Sequence, residues 1–238
     1  MRCSGWIIEI PDRGYDVSII RVGLISVLVL VGLMSLMSAA DQQRIPDYEE
    51  ARRLFWGELY TRGGKTLYCG EAFSSKYEHR KGINIEHVFP MGWVKNELGC
   101  DTRKQCRASS DRFNRIEADL HNLYPSRVDV NDARSAYRFG EISGERRAFG
   151  ECDFEADRNK RVAEPRPASR GEIARAMFYM KEEYGLTIFR KSGELLLKWH
   201  FQDQPSKHEK WRNDRIEEIQ GTRNMFVDDP ELARLIEF

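Results

Sequence analysis

Two short stretches of the chain set a histidine beside oxygen-bearing side chains. They are Asn84-Ile85-Glu86-His87-Val88-Phe89-Pro90 and Asp119-Leu120-His121-Asn122-Leu123-Tyr124-Pro125. The residue types suit hydrolysis of a phosphodiester. Water must lose a proton as it attacks, and a histidine with its ordinary pKa of about 6.5 is mostly free base at slightly alkaline pH. Such general-base help is worth roughly 10²–10⁴-fold. Negative charge builds on the phosphate and the leaving oxygen, and a divalent cation can offset it. Mg²⁺ takes oxygen ligands, keeps several waters and needs only one or two protein groups. Glu86 and Asn122 are such a pair, and one arginine could then hold the phosphate. Taken alone, a Glu-His pair is more often a surface or hydrogen-bonded pair than a catalytic one, and His121 is more readily structural.

These residues need elements to hold them. Asp47 with Glu50 three residues later reads as a capping box, and Tyr48, Ala51, Phe55 and Leu59 recur at helical spacing, so residues 47–60 are expected to be helical. Thr66-Leu67-Tyr68-Cys69 and Ile83-Asn84-Ile85 read as short strands after the Gly63-Gly64 turn signal. Residues 91–110 are expected to be a loop, 111–124 a helix up to Pro125, and 126–168 mostly irregular. Ser169-Arg170-Gly171-Glu172 is a second capping-box pattern, followed by the apolar stripe Ile173, Met177 and Met180. Further helices are expected over 192–200 and 211–220, with Gly221 as a stop. Adjacent side chains of a regular strand point to opposite faces. Glu86 and His87 can share a site only if the strand ends or bends there, which Pro90 favours. Asn131 and Arg134 follow the second motif; contact with nucleic acid explains them about as well as a helix cap and an ion pair. His79, His200 and His208 receive no role, and the tryptophans fit a core or half-buried position better than a base-stacking platform.

The 238 residues suffice for one domain with a substantial core. Lys and Arg total 38, and so do Asp and Glu, so no global charge attracts nucleic acid. The charge is segregated along the chain: Arg52–Arg107 holds eleven basic against six acidic residues, and Glu217–Phe238 two against six. Val22–Met37 runs sixteen residues without a charge, preceded by Arg21 and followed by Ser38-Ala39-Ala40. That is the pattern of a secretory signal ending at Ala40, with an uncleaved N-terminal anchor as the alternative. Its apolar run is short against the roughly 20 residues of a membrane span. Four cysteines follow it: Cys69, Cys100, Cys106 and Cys152. An even count in an exported chain favours two disulfides. Of three possible pairings, Cys100–Cys106 with Cys69–Cys152 is preferred, and a zinc site without any CxxC pair is the weaker rival.

The chain resembles the endonuclease I family of periplasmic and secreted bacterial nucleases. The matching residues run from Gly82 to Pro90, from Glu117 to Leu123, through Arg170-Gly171-Glu172-Ile173-Ala174-Arg175 with Phe178-Tyr179-Met180, and from Arg215-Ile216 to Gln220-Gly221. They span about residues 45–227. The resemblance implies an α+β fold: a mainly helical single domain over residues 41–238 with a small antiparallel two-stranded element and a ββα-metal motif. It implies that His87 is the general base. Glu86 and Asn122 would bind the metal, the Asn from a helix facing the strand that carries His87. Arg103, inside the Cys100–Cys106 loop, would contact the phosphate. Where the family often has Cys-Gly-Cys, this chain has Cys69-Gly70-Glu71. The expected protein is therefore a monomeric, periplasmic or secreted endonuclease. It would use Mg²⁺, or Mn²⁺ or Ca²⁺, on DNA, with RNA a second candidate, through backbone contacts and with little sequence preference. It would have no stable membrane association once the signal is removed. The competing readings are a non-catalytic secreted nucleic-acid-binding protein of the same fold and a membrane-tethered structural zinc protein.

Overall fold

Strand β3 (Ile83–His87) and strand β4 (Leu123–Arg127) form a two-stranded antiparallel sheet, and the rest of the fold is arranged around it. Their register sets Ile83 opposite Arg127 and His87 opposite Leu123, which places Pro125 opposite Ile85. Pro125 has no N–H to donate. The Pro125 carbonyl instead accepts from the Leu67 amide, outside the pair, at 2.8 Å. A computed structural model describes residues 42–74, 82–144 and 147–238. The expected export signal over 1–40 and His79 lie outside the described residues. Among the described residues no helix is long and apolar enough to cross a membrane.

The chain enters through α1 (Tyr48–Leu54), capped by Asp47, whose side chain accepts from the Glu50 amide, and continues into a π-helical turn, Phe55–Leu59. A two-residue hairpin follows, β1 (Gly64–Lys65) with β2 (Ala72–Phe73). The strand expected at Thr66–Cys69 is instead the turn between them, closed by a Gly70 amide bond to the Thr66 carbonyl at 2.8 Å. Residues 91–110, expected to be a loop, hold α2 (Met91–Glu97) and α3 (Arg103–Ser109). Thr102 caps α3 and Ser110 caps α4 (Asp111–Glu117), so polar residues that read as loop punctuation are helix starts. Helix α4 stops well short of Pro125. A 3₁₀ turn, Leu120–Asn122, then leads into β4.

Residues 126–168 are also more ordered than their composition suggests. Helix α5 (Val128–Arg134) follows β4 directly. Strands β5 (Arg138–Phe139), β6 (Phe154–Asp157) and β7 (Val162–Pro165) form a mixed sheet in the order β5-β7-β6. The C-terminal part is helical: α6 (Arg170–Tyr184), α7 (Arg190–Gln202), α8 (Lys207–Gln220) and α9 (Met225–Asp228). Helix α8 begins earlier than its apolar pattern suggested, at a full Ser206–Glu209 capping box, and ends at Gly221 in the left-handed region at φ 88°. Residues 41–238 form one compact unit of mixed α+β structure. Two clusters fill it. One gathers around α6; the other packs α1 against Ile85 and Leu123 of the central sheet. Both disulfides have the preferred pairing, Cys69–Cys152 and Cys100–Cys106, so every cysteine among the described residues is bonded and none of the four is left for zinc.

The capping box expected at Ser169–Glu172 does not form. The Ser169 hydroxyl donates to the Arg166 carbonyl, and the Gly171 amide is met by the Asp203 carboxylate at 3.0 Å. A Cβ on Gly171 would lie 2.1 Å from the Asp203 carbonyl oxygen, a backbone atom that cannot turn aside. Gly171→Ala is therefore expected to cost about 1–3 kcal/mol of stability through overpacking. Thermal unfolding with the Cys69–Cys152 bond intact measures this, and an unchanged midpoint would contradict the tight α6–α7 crossing.

Candidate active site

The strand end answers the question that alternation raised. β3 stops at His87, and its alternating side chains do face opposite ways. Ile85 packs with the α1 cluster, and His87 stands on the same side, its ring 5.2 Å from that of Tyr48. Asn84 and Glu86 face α5 and Tyr68. A cleft of about 350 Å³ wraps around the end of the strand, and Asn84, Glu86, His87, Arg103, Asn131 and Arg134 are among its walls. Two faces of one strand thus meet in one cavity because the strand terminates there.

Each wall residue is held by its surroundings. His87 is 8% exposed, and its Nε2 lies 3.0 Å from the Glu117 carbonyl oxygen. A carbonyl can only accept, so Nε2 carries the proton and Nδ1 keeps its lone pair. Burial first, and then the charge of Arg103, push the imidazole pKa down to about 3, so the ring is the neutral base at neutral pH. Glu86 is 3% exposed. Its Oε1 accepts from the Tyr68 hydroxyl at 2.7 Å and lies 3.3 Å from Arg134 Nη1. Burial raises its pKa and Arg134 opposes that. Arg134 is itself buried and donates to the carbonyls of His87 and Val88 at 3.4 and 2.5 Å, which fixes the chain as it leaves β3.

Arg103 stands at the first position of α3, partly exposed, with its Nε bonded to Glu117. Arg107, one turn later, makes a forked pair with the same carboxylate at 2.6 and 3.0 Å. Both guanidinium groups lie over the Tyr48 ring, at 5.7 and 5.5 Å. Glu117 therefore orients the His87 ring through its carbonyl and two cations through its side chain. Sequence reasoning gave no role to Glu117, Arg107, Tyr48 or Tyr68. Glu117 lies two residues before the second motif, and its one visible signal was its place in the segment Glu117–Leu123 that carries the family resemblance.

The structure does not bring Asn122 into the cleft. Its side chain is fully buried; Oδ1 accepts from the Phe89 amide at 2.6 Å and Nδ2 donates to the Phe89 carbonyl at 3.1 Å. It sits in the 3₁₀ turn before β4, not on a helix. The helix that faces β3 is α5, and the amide it presents is Asn131. Asn131 Nδ2 donates to Asn84 Oδ1 at 2.9 Å and to the Ile85 carbonyl at 3.3 Å. With its N–H groups engaged by two acceptors, Oδ1 remains as its open group. The second motif is otherwise a structural joint. Asp119 accepts from Tyr179, Tyr184 and Gln220, and His121 bonds the Thr222 carbonyl, so both tie the sheet to α6 and α8.

Residues 30–231 match the family described as Endonuclease I. The chain belongs to the endonuclease I family. It is 34% identical over 223 residues to a periplasmic deoxyribonuclease of Aeromonas hydrophila, covering 84% of this chain and 94% of that protein. An extracellular deoxyribonuclease of the same organism is 35% identical, over 67% of this chain and 71% of its own. An extracellular ribonuclease of Bacillus amyloliquefaciens is 34% identical over 48% of this chain and 45% of its own length. As an endonuclease I family member the chain is an endonuclease, of a family generally dependent on a divalent metal. Among the described residues no group of three or more His, Cys, Asp or Glu could hold a metal. A cation in this cleft would be held as Mg²⁺ commonly is, by one carboxylate and one fixed carbonyl oxygen with water completing the shell. The Glu86 carboxylate and the Asn131 Oδ1 fit that donor set; Asn122, with its oxygen bonded to Phe89, does not.

Proposed function

We propose that the chain hydrolyses internal phosphodiester bonds of DNA outside the cytoplasm, with little sequence preference, by general-base catalysis at one divalent cation. The observation that carries this reading is the convergence of His87, Glu86, Arg103 and Asn131 on one cleft, with the His87 tautomer fixed by Glu117. In this reading β3, β4 and α5 make up a ββα-metal unit, and residues 1–40 are removed as an export signal. Water bound against Nδ1 of His87 gives up its proton to that nitrogen as it attacks phosphorus, while the bond from phosphorus to the leaving oxygen breaks and that oxygen takes a proton from solvent. Arg103, steadied by Glu117, binds the phosphate and neutralises part of its charge. Glu86 and Asn131 would hold the cation, Mg²⁺ or a similar oxygen-seeking ion. When bound, it would offset charge on the phosphate and the leaving oxygen. Contacts of this kind fall on the backbone, so cleavage is expected to be insensitive to sequence and to weaken as salt rises.

The test is a plasmid-nicking assay. Cutting in Mg²⁺ is expected to stop in EDTA and to return when Mg²⁺ is restored. Glu86→Gln is expected to raise the Mg²⁺ concentration needed for half-maximal rate. Cutting that persists in EDTA removes the metal from the mechanism; binding without any cutting leaves the non-catalytic reading. RNA is tested in the same assay as a second substrate.

A further inference from the structure

A second cavity, of about 340 Å³, lies between the β1–β2 turn and the starts of α6 and α8. It shares no wall residue with the cleft at the end of β3. Tyr60 and Tyr124, both buried, are among its walls, with Lys65, Arg166, Glu172 and His208. Its volume lies within the roughly 300–1,000 Å³ range of small-ligand pockets.

The polar walls are incompletely satisfied. Glu172 is half-buried and, among the described residues, has no hydrogen bond or ion pair; its neighbouring charges act only at a distance. The nearest carboxylate, Glu209, is held in a forked pair by Arg175 at 2.6 and 2.8 Å. Arg166 bonds the Leu67 carbonyl through Nε alone, which among the described residues leaves both terminal nitrogens open. Lys65 is exposed and has no partner among the described residues. Withdrawing a carboxylate from water without a partner is unfavourable, so an unpaired one calls for a reason. Burial and the nearby Glu209 raise the Glu172 pKa, the behaviour of a group lacking a donor, and the N–H donors of a bound base edge would hold it as the carboxylate. At the rim His208 stacks on Trp211, ring centres 5.4 Å apart and 25° from parallel, and Trp211 is 47% exposed. Two open cations suit a phosphate, a carboxyl group suits a base edge with adjacent N–H donors, and a flat aromatic rim suits a base face. Guanine is the base that offers two adjacent N–H groups on one edge.

We propose that this cavity is a second nucleotide site, which takes a guanine nucleotide with its phosphate on Lys65 and Arg166 and its base edge on Glu172. The ligand is either a free mononucleotide or the terminal nucleotide of a strand. The choice of a nucleotide rests on the nuclease reading above, since cleavage places such fragments beside the protein.

The experiment is calorimetric titration of the full chain in EDTA with each of the four deoxynucleoside monophosphates, followed by short oligonucleotides ending in dG. Saturable binding with dGMP tightest is expected. Glu172→Gln and Arg166→Ala should each weaken it by about tenfold or more, the worth of one hydrogen bond to a charged group. Arg103→Ala, in the first cleft, should leave it unchanged. Glu172→Gln replaces a carboxyl group that lacks a partner among the described residues by an amide of the same size, and Arg166 is a partly exposed side chain, so both variants should fold; nicking by both should stay within about twofold of the parent protein. Competition by the oligonucleotide assigns the site to strand ends, and its failure assigns it to free mononucleotide. No saturable binding, equal binding of all four nucleotides, or binding lost in Arg103→Ala and kept in the other two overturns the proposal. Nucleotide binding without nicking would sink the nuclease reading and leave this site standing.

Discussion

His87→Ala is expected to reduce the cleavage rate constant by about 10²–10⁴-fold, the usual worth of a positioned base. DNA affinity should change little, because the phosphate contact assigned to Arg103 and the Arg103–Glu117 pair do not need the imidazole. The effect is specific to the base because of how the ring is held. Nε2 is committed to the Glu117 carbonyl, so the only nitrogen that can take a proton is Nδ1. Single-turnover cleavage and filter binding of the same variant separate the two quantities. A variant that cuts within about tenfold of the parent would end the base assignment, since such a loss is smaller than general-base catalysis supplies.

The second large effect separates Asn131 from Asn122, the asparagine to which the sequence motif assigned the metal. Asn131→Ala should raise the Mg²⁺ requirement by at least the 10–100-fold seen when a supporting group of a metal site is lost. Its stability cost should be small, because one half-buried amide donor is removed. Asn122→Ala should behave in the opposite way. It leaves both the amide and the carbonyl of Phe89 unsatisfied in a fully buried site, at about 1–3 kcal/mol each. Cleavage by the folded fraction should keep the parent's Mg²⁺ dependence. Chemical denaturation and a Mg²⁺ titration on both variants decide it. A stable Asn122→Ala protein with a raised Mg²⁺ requirement, beside an unaffected Asn131→Ala, would return the ligand role to Asn122.

The two motifs thus differ in what they do. The first lines the cleft: Glu86 and His87, the proposed ligand and base, open into it, though both are nearly buried. The second is largely a joint. Asp119 collects hydroxyls from Tyr179 and Tyr184 and the Gln220 amide, His121 bonds the Thr222 carbonyl, and Asn122 binds the end of β3. Two residues before it, Glu117 holds the proposed base His87 through its carbonyl and the two arginines through its carboxylate. Spacing alone could not separate these cases. A side-chain amide that clamps a backbone and one that offers its oxygen to a cation have the same residue type, and only their partners differ.

Some of this was determined by local chemistry that needs no neighbour. The α1 start at Asp47, the end of α8 at Gly221 and the β3 core at Ile83–Ile85 follow from capping, left-handed backbone and strand-forming residues, and the even cysteine count fixed that there would be two disulfides though not which of three pairings. The Glu-His pair and the family resemblance were legible for the same reason: they are contiguous in the chain. Tertiary structure decided the rest. Helices α2 and α3 form in a stretch rich in glycine, cysteine and charge because the Cys100–Cys106 bond and the packing of Val94 and Cys106 hold them. Strands β5 to β7 form in a polar stretch because each supplies the others' backbone partners. Asn131 comes to face β3 because α5 follows β4 without a loop and packs on the sheet, and Glu172 has no partner among the described residues because the Ser169 amide that its motif would offer is bonded to the Arg166 carbonyl. Contacts between segments some 30 to 50 residues apart decide which of two like side chains reaches the cleft, and a local pattern of residue types carries no record of them.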